Sequence, residues 1–179
     1  HLFIEASRLA FADRARYMAD ADFVDMPTDG LLDPAYLAAR ARLIDPLRAM
    51  GLASAGEPPW QHPADFTSDR PRPRKGTSQF VIKDRFGDMI SATTTIEAGF
   101  GSRIMVDGFL LNNELTDFSF LPEEGGVPVA NRVEGGKRPR SSMAPTVVFH
   151  AGAPVLLVGS PGGANIIPYV AQTLIAILD

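Results

Sequence analysis

The segment from Gly51 to Gly76, G-L-A-S-A-G-E-P-P-W-Q-H-P-A-D-F-T-S-D-R-P-R-P-R-K-G, most constrains what this chain can fold into. It has no apolar period, and its prolines lack the backbone donor that a helix interior or a central strand needs. On composition it reads as extended, exposed and mobile chain. It divides the sequence into a helical part, residues 1–50, the connection itself, residues 51–76, and a β-patterned part, residues 77–179. The connection leads straight into Thr77. A hydroxyl at such a boundary is either a strand cap or a nucleophile that becomes a first residue when the bond after Gly76 is cut.

Before the connection the period is helical. Leu2, Phe3, Ala6, Leu9 and Ala10 form an apolar stripe that predicts a helix over residues 1–19. Asp29-Gly30 marks a turn, and Asp33-Pro34 supplies an N-cap followed by proline at the first helical position. The helix that follows presents Leu37, Ala41 and Ile44 on one face. After the connection the period is two. Residues 77–83 and 89–96 flank the turn Asp84-Arg85-Phe86-Gly87-Asp88 and predict a hairpin. Phe109-Leu110-Leu111 reads as a short buried strand ending at Asn112-Asn113. Thr146–Phe149 and Val155–Val158 predict a second hairpin, and a helix with Ile167, Val170, Leu174 and Ile177 on one face closes the chain. The class is α+β.

Composition narrows the chemistry. A net charge of −4 argues against a nucleic-acid or anionic-membrane partner, since both select clustered Lys and Arg. No apolar run approaches the roughly 20 residues that span a bilayer. The absence of cysteine excludes disulfides and thiolate catalysis, and His1, His62 and His150 have no metal-ligand spacing. No cofactor or metal is therefore expected. The chain opens inside a helical pattern without Met and ends on Asp179 directly after an apolar helix, as a piece of a larger protein would.

Four places have the residue types for a reaction. In Gly159-Ser160-Pro161-Gly162-Gly163 a strand gives way to a helix start; such a loop either holds an anion or oxyanion on its backbone N–H groups or is a tight turn. Glu114 and Asp117, three apart after an apolar strand, are either an ammonium site or a solvated turn, and Glu97 is a third carboxylate of the same kind. Ser141 and Ser142, beside Lys137 and Arg138, are either a site for an anion or carboxylate or a serine pair in a turn. Thr77 is the fourth.

Taken in order, T-S-Q-F-V-I-K-D-R-F-G-D, T-T-T-I-E-A-G-F-G-S, L-L-N-N-E-L-T-D-F-S, G-K-R-P-R-S-S-M-A-P-T and V-G-S-P-G-G-A-N-I-I resemble the γ-glutamyltransferases (γ-glutamyltranspeptidases). These are N-terminal-nucleophile hydrolases that cut themselves into a large and a small subunit. F-I-E-A-S-R-L-A-F-A-D-R is similar to the end of the family's large subunit, so the resemblance covers nearly all of the chain except the connection. It implies an αββα sandwich, incomplete in this fragment. Residues 1–50 would be large-subunit helices, 51–76 a processing linker, and 77–179 most of the small-subunit sheet.

Position by position, the resemblance makes Thr77 the nucleophile and Gly76 the last residue before the cut. Thr95 would hydrogen-bond the nucleophile. Glu97, Glu114 and Asp117 would hold the substrate's α-amino group, Ser141 and Ser142 its α-carboxylate, and Gly162 and Gly163 the oxyanion. The implied activity is γ-glutamyl transfer or hydrolysis, with a small γ-glutamyl donor, an amine or water acceptor, the large subunit of the same precursor as partner, and a periplasmic or secreted location. Ser78, Gln79, Glu97, Thr116 and Arg140 depart from the family's more frequent residues, and Leu121–Gly136 is short for its lid. The family's carboxylate-binding arginine lies upstream of residue 1, so the isolated fragment is expected to be inactive. Two other readings stay open: a glutaryl or cephalosporin-type acylase, whose substrate lacks the α-amino group that the Glu114–Asp117 pair suits, and a non-catalytic homologue in which Thr77 never becomes N-terminal.

Overall fold

A computed structural model describes residues 1–70 and 76–179. Helix α1 spans Leu2–Tyr17, α2 Thr28–Leu31 and α3 Pro34–Ala41. The strands are β1 Ser78–Lys83, β2 Met89–Thr94, β3 Met105–Val106, β4 Phe109–Leu110, β5 Glu123–Glu124, β6 Val127–Pro128, β7 Thr146–His150 and β8 Ala153–Val158. Helix α4 is Ile166–Leu178, and 3-10 turns occupy Glu114–Asp117 and Gly163–Asn165. The fold is thus a mixture of helix and strand. Each strand pairs antiparallel with its sequence neighbour, giving four two-stranded sheets. Compactness divides the chain into a first unit, His1–Pro71 with Leu115–Arg140, and a second, Arg72–Glu114 with Ser141–Asp179. These units cut across the three consecutive parts expected from composition, because residues 115–140 return to the first.

In the first unit α1 buries only Leu9 of the apolar stripe. Its buried residues are Glu5, Leu9, Asp13 and Tyr17, four apart on one face, while Leu2 is exposed. The acids tolerate burial because other chain segments supply their donors. Met50 N donates to Glu5 Oε2 at 2.8 Å. Asp13 accepts from Gly56 N at 2.7 Å, the Tyr36 hydroxyl at 2.8 Å and Arg40 at 3.1 Å. Burial, followed by the Asp13 hydrogen bond, pushes the Tyr36 phenol above its ordinary range. Helix α3 is placed for this by its cap: the Asp33 side chain accepts from Tyr36 N at 2.8 Å, with Pro34 at the first helical position. It ends at Ala41, so Ile44 lies beyond the helix it was expected to extend.

The Pro-rich connection is extended and at the same time attached to α1. The Tyr17 hydroxyl donates to Gly56 O at 2.7 Å, Arg16 Nε to Phe66 O at 3.0 Å, and Asp69 N to Ala15 O at 2.9 Å. Trp60 meets Tyr17 edge-on and stacks on Phe66. A segment without apolar period is held here by backbone polar groups and aromatic rings. The rest of the expected mobile linker, residues 71–75, lies outside the described residues.

Residues 115–140 complete the first unit's core with Phe118, Val129, Ala130 and Asn131. Thr67 N donates to Pro128 O at 3.0 Å, and Asn131 donates to Asp117 O at 2.8 Å. Arg14 is buried close to Arg140; burial and that neighbouring charge lower its pKa to about 10. Lys137 Nζ is buried on Ala130 O and Glu134, each at 2.8 Å. Arg138 closes on Asp20 through its backbone N at 2.8 Å and its side chain at 2.5–2.9 Å, and also reaches Asp22.

In the second unit, β1 and β2 pair from Ser78↔Thr94 to Lys83↔Met89. The Asp84 carboxylate closes their turn by accepting from Phe86 N and Asp88 N at 2.8 and 2.9 Å. β7 and β8 form the other hairpin, with a register shift between Val148 and Phe149. Ser91 on β2 donates to Val158 O on β8 at 3.4 Å, so the ribbons lie side by side. Helix α4 buries Ile166 and Val170. The strand expected to be buried at residues 109–111 is instead open: Phe109 is 74% exposed and Leu111 is exposed. β4 pairs only with the two residues of β3, and a ribbon that short has no second layer of its own.

Asp20 gives a pH prediction. The hydrogen bonds from the Arg138 side chain and backbone hold its carboxyl well below its ordinary value of 3.8. A depressed carboxyl stabilises the fold above the unfolded pKa and loses that contribution as pH falls through the folded one. Thermal melts should show Arg138→Ala less stable than the parent sequence above about pH 4, with the gap closing below it.

Candidate active site

The hairpin register places the candidate nucleophile. Ser78 pairs with Thr94, so one step further out Thr77 faces Thr95. Both side chains turn to the same atom. Thr77 Oγ1 donates to Gly76 O at 2.5 Å and Thr95 Oγ1 donates to it at 2.6 Å. A carbonyl oxygen with two hydroxyl donors is polarised, and Thr95 Oγ1 can stay on that oxygen as a donor to negative charge if Thr77 attacks the carbonyl carbon. Thr95 is itself aimed by accepting from Glu97 N at 2.8 Å.

Gly76 has φ +150°, and a Cβ there would lie 1.9 Å from Glu97 O. Only glycine satisfies both conditions. The loop pressed against it is strained: Glu97, Phe100 and Arg103 have φ of 68°, 73° and 63°. Asn113 holds the loop, donating to the buried Glu97 carboxylate while its Oδ1 accepts from Ala98 N at 3.0 Å. Sequence reasoning noted Asn113 only as the end of a strand. No local signal marks it, because its partners lie 15 and 16 residues away.

The glycine loop stands on β1 through Gln79. Thr93 donates to Gln79 Oε1 at 2.5 Å, Gln79 Nε2 donates to Ser91 at 3.0 Å, and the Gln79 amide fills the space a side chain at Gly159 would need. Gly162 and Gly163 have φ of 137° and 57° and lead through one 3-10 turn into α4.

Glu114 and Asp117 share one 3-10 turn where the chain passes from the second unit to the first. Glu114 N is capped by Asn112 Oδ1 at 3.0 Å. Ser141 and Ser142 begin the return to the second unit; Ser141 Oγ accepts from Met143 N at 3.1 Å. The cations expected to assist these serines are committed elsewhere, Lys137 to Ala130 O and Glu134, Arg138 to Asp20 and Asp22. Among the described residues no cluster of three metal-ligating side chains occurs, and no helix is long and apolar enough to cross a membrane.

The chain as a whole matches a known family. The profile described as Gamma-glutamyltranspeptidase matches residues 1–179, and the chain belongs to that family. It is 44% identical to the glutathione hydrolase proenzyme of Bacillus subtilis (strain 168), over 97% of this chain and 30% of that protein. It is 33% identical to the acylase ACY 1 proenzyme of Pseudomonas sp. (strain SE83), over 100% of this chain and 29% of that one. The chain therefore spans less than a third of the length of these relatives. The solved structure of an LmbA2991 variant shares the fold, with a TM-score of 0.67 at 24% identity over 98% of this chain and 31% of the other.

The backbone at Gly162 yields a stability prediction. A Cβ there would meet the Tyr169 ring at 3.0 Å in a conformation open only to glycine. Gly162→Ala should cost about 1–3 kcal/mol, read by chemical denaturation.

Proposed function

We propose that this chain is the junction region of an enzyme that transfers or hydrolyses γ-glutamyl groups, with Thr77 as a nucleophile released by autoproteolysis. The observation that carries this is the convergence of the Thr77 and Thr95 hydroxyls on the Gly76 carbonyl. It is supported by membership of the gamma-glutamyltranspeptidase family and by relatives named as proenzymes.

In the uncut chain, rotation about one bond brings Thr77 Oγ1 over the Gly76 carbonyl carbon. Attack forms a C–O bond, and negative charge gathers on the oxygen that Thr95 already contacts. Collapse breaks the peptide C–N bond, the amine takes up a proton, and an ester joins Gly76 to the threonine oxygen. Water hydrolyses it, leaving a Gly76 carboxylate and a Thr77 with a free hydroxyl and α-amine. That amine, with a pKa of about 7.7–8.0, serves as base for its own hydroxyl.

In turnover, Thr77 attacks the γ-carbonyl of a glutathione-like donor and forms a γ-glutamyl ester while the departing amine is protonated. Water or an acceptor amine resolves the ester. Gly162 and Gly163 N–H groups hold the oxyanion. Glu97, Glu114 and Asp117 take the α-ammonium, and Ser141 and Ser142 the α-carboxylate. Residues 1–50 are the end of the large subunit, 51–76 the processing linker and 77–179 most of the small subunit, within an αββα sandwich completed by the rest of the protein. The remainder of the large subunit is the partner that completes the donor site.

Denaturing gels with N-terminal sequencing test the reading in the parent protein. A new terminus at Thr77 is expected, lost in Thr77→Ala and appearing about 100-fold more slowly in Thr95→Ala, the loss typical of one oxyanion donor. The cut protein should release anilide from a γ-glutamyl anilide. Turnover of only a glutaryl analogue would assign the acylase activity instead, and an uncut, inactive wild-type chain would sink the catalytic reading.

A further inference from the structure

The first unit is built from both sides of the bond after Gly76. Helix α1 and residues 50–70 precede it, and residues 115–140 follow it. Every contact between these two sets becomes a contact between separate chains once that bond is cut.

The most buried of these contacts centres on Arg140. Its Nη2 donates to Asp69 Oδ2 at 2.9 Å, with the two side chains 6% and 4% exposed. Its Nη1 donates to Arg14 O at 3.0 Å and approaches Met18 O at 3.5 Å, carbonyls at the negative end of α1. Its backbone N donates to Asn131 Oδ1 at 3.0 Å, and Asn131 Nδ2 reaches Asp69 at 3.4 Å and Asp117 O at 2.8 Å. Asp69 N is in turn tied to Ala15 O at 2.9 Å.

The geometry points to the Arg140–Asp69–Asn131 cluster as the non-covalent lock that holds the two products of cleavage together. It rests on the cleavage reading above. Burial decides its rank among the contacts across the cut. In the Arg138–Asp20 pair the Asp20 side chain is 1% exposed but Arg138 is 68% exposed, and the Arg70–Glu124 pair is open to solvent on both sides. Exposed pairs are weakened by salt and by side-chain entropy. The Arg140–Asp69 pair is shielded, and removal of either partner strands the other as a buried charge. Asp69 also lies seven residues before Gly76, so the lock grips the leader close to its cut end.

The test uses the cut parent protein, with association of the two chains measured by sedimentation across dilution at low and high salt. Arg140→Leu and Asp69→Ala should each raise the dissociation constant at least tenfold at both salt levels. The double variant should lose less than the two singles combined, because no charge is left stranded. Arg138→Ala should have a smaller effect that salt reduces, because the guanidinium is open to solvent while Asp20 keeps the donor of the residue 138 backbone. The same substitutions in uncut Thr77→Ala should leave the far-ultraviolet circular dichroism unchanged, and Arg140→Lys should fall between Leu and wild type. Equal dissociation constants for wild type and Arg140→Leu, or a loss of structure in the uncut chain as large as in the cut one, would overturn the lock and leave the cleavage reading standing. A wild-type chain with no new terminus at Thr77 would overturn both.

Discussion

Burial of the Asp13 carboxylate organises the first unit. A helix with an acid at the centre of its inner face cannot be covered by an apolar layer; it has to be covered by donors. Asp13 collects three from two different stretches: Tyr36 and Arg40 from α3, and Gly56 N from the Pro-rich connection. Glu5 repeats the arrangement one level up through Met50 N. These bonds fix where α3 lies on α1 and give the leader its course along the helix. Arg40 extends the network to Leu9 O and Ser54 O at 3.3 and 2.7 Å.

The candidate site depends on a simpler device, a hairpin whose register carries one residue further than its ladder. Because β1 and β2 are in register to Ser78↔Thr94, the next pair of threonines is delivered to the same carbonyl. The turn at the far end sets that register through Asp84, so an acid just beyond β1 helps to aim a hydroxyl at residue 77. The positive-φ loop at 97–103 then closes over Gly76 and is held by Asn113. Strain in this loop is offset by bonds to a neighbouring segment and is confined to the surroundings of the candidate bond.

Much of this was legible in the sequence. Asp33-Pro34 announces α3, both hairpins follow from period-two patterning, and the turn at 84–88 is where its Asp and Gly place it. Five ordered motifs identify the family that the profile match also assigns. What could not be read is long-range polar satisfaction. The apolar stripe on α1 misjudged the buried face because the donor for Glu5 and one of the three for Asp13 lie 45 and 43 residues ahead, in segments with no helical or strand signal of their own. The attachment of the Pro-rich segment was hidden for the same reason, since backbone amides carry no sequence signature. Lys137 and Arg138 drew attention as partners for Ser141 and Ser142, yet their counter-charges come from Glu134, Asp20 and Asp22. Phe109 looked like core because apolarity says nothing about whether a second layer is present.

The fit at Gly76 has a consequence for the cleavage proposed above. The carbonyl oxygen of Glu97 occupies the place where any side chain at residue 76 would begin. Selection at this position is therefore by exclusion: the fold tests for the lack of a side chain, without a pocket that grips one. A template of that kind is formed only after the downstream loop has folded, so an unfolded chain presents no competent bond. Under that proposal folding and self-recognition become a single event.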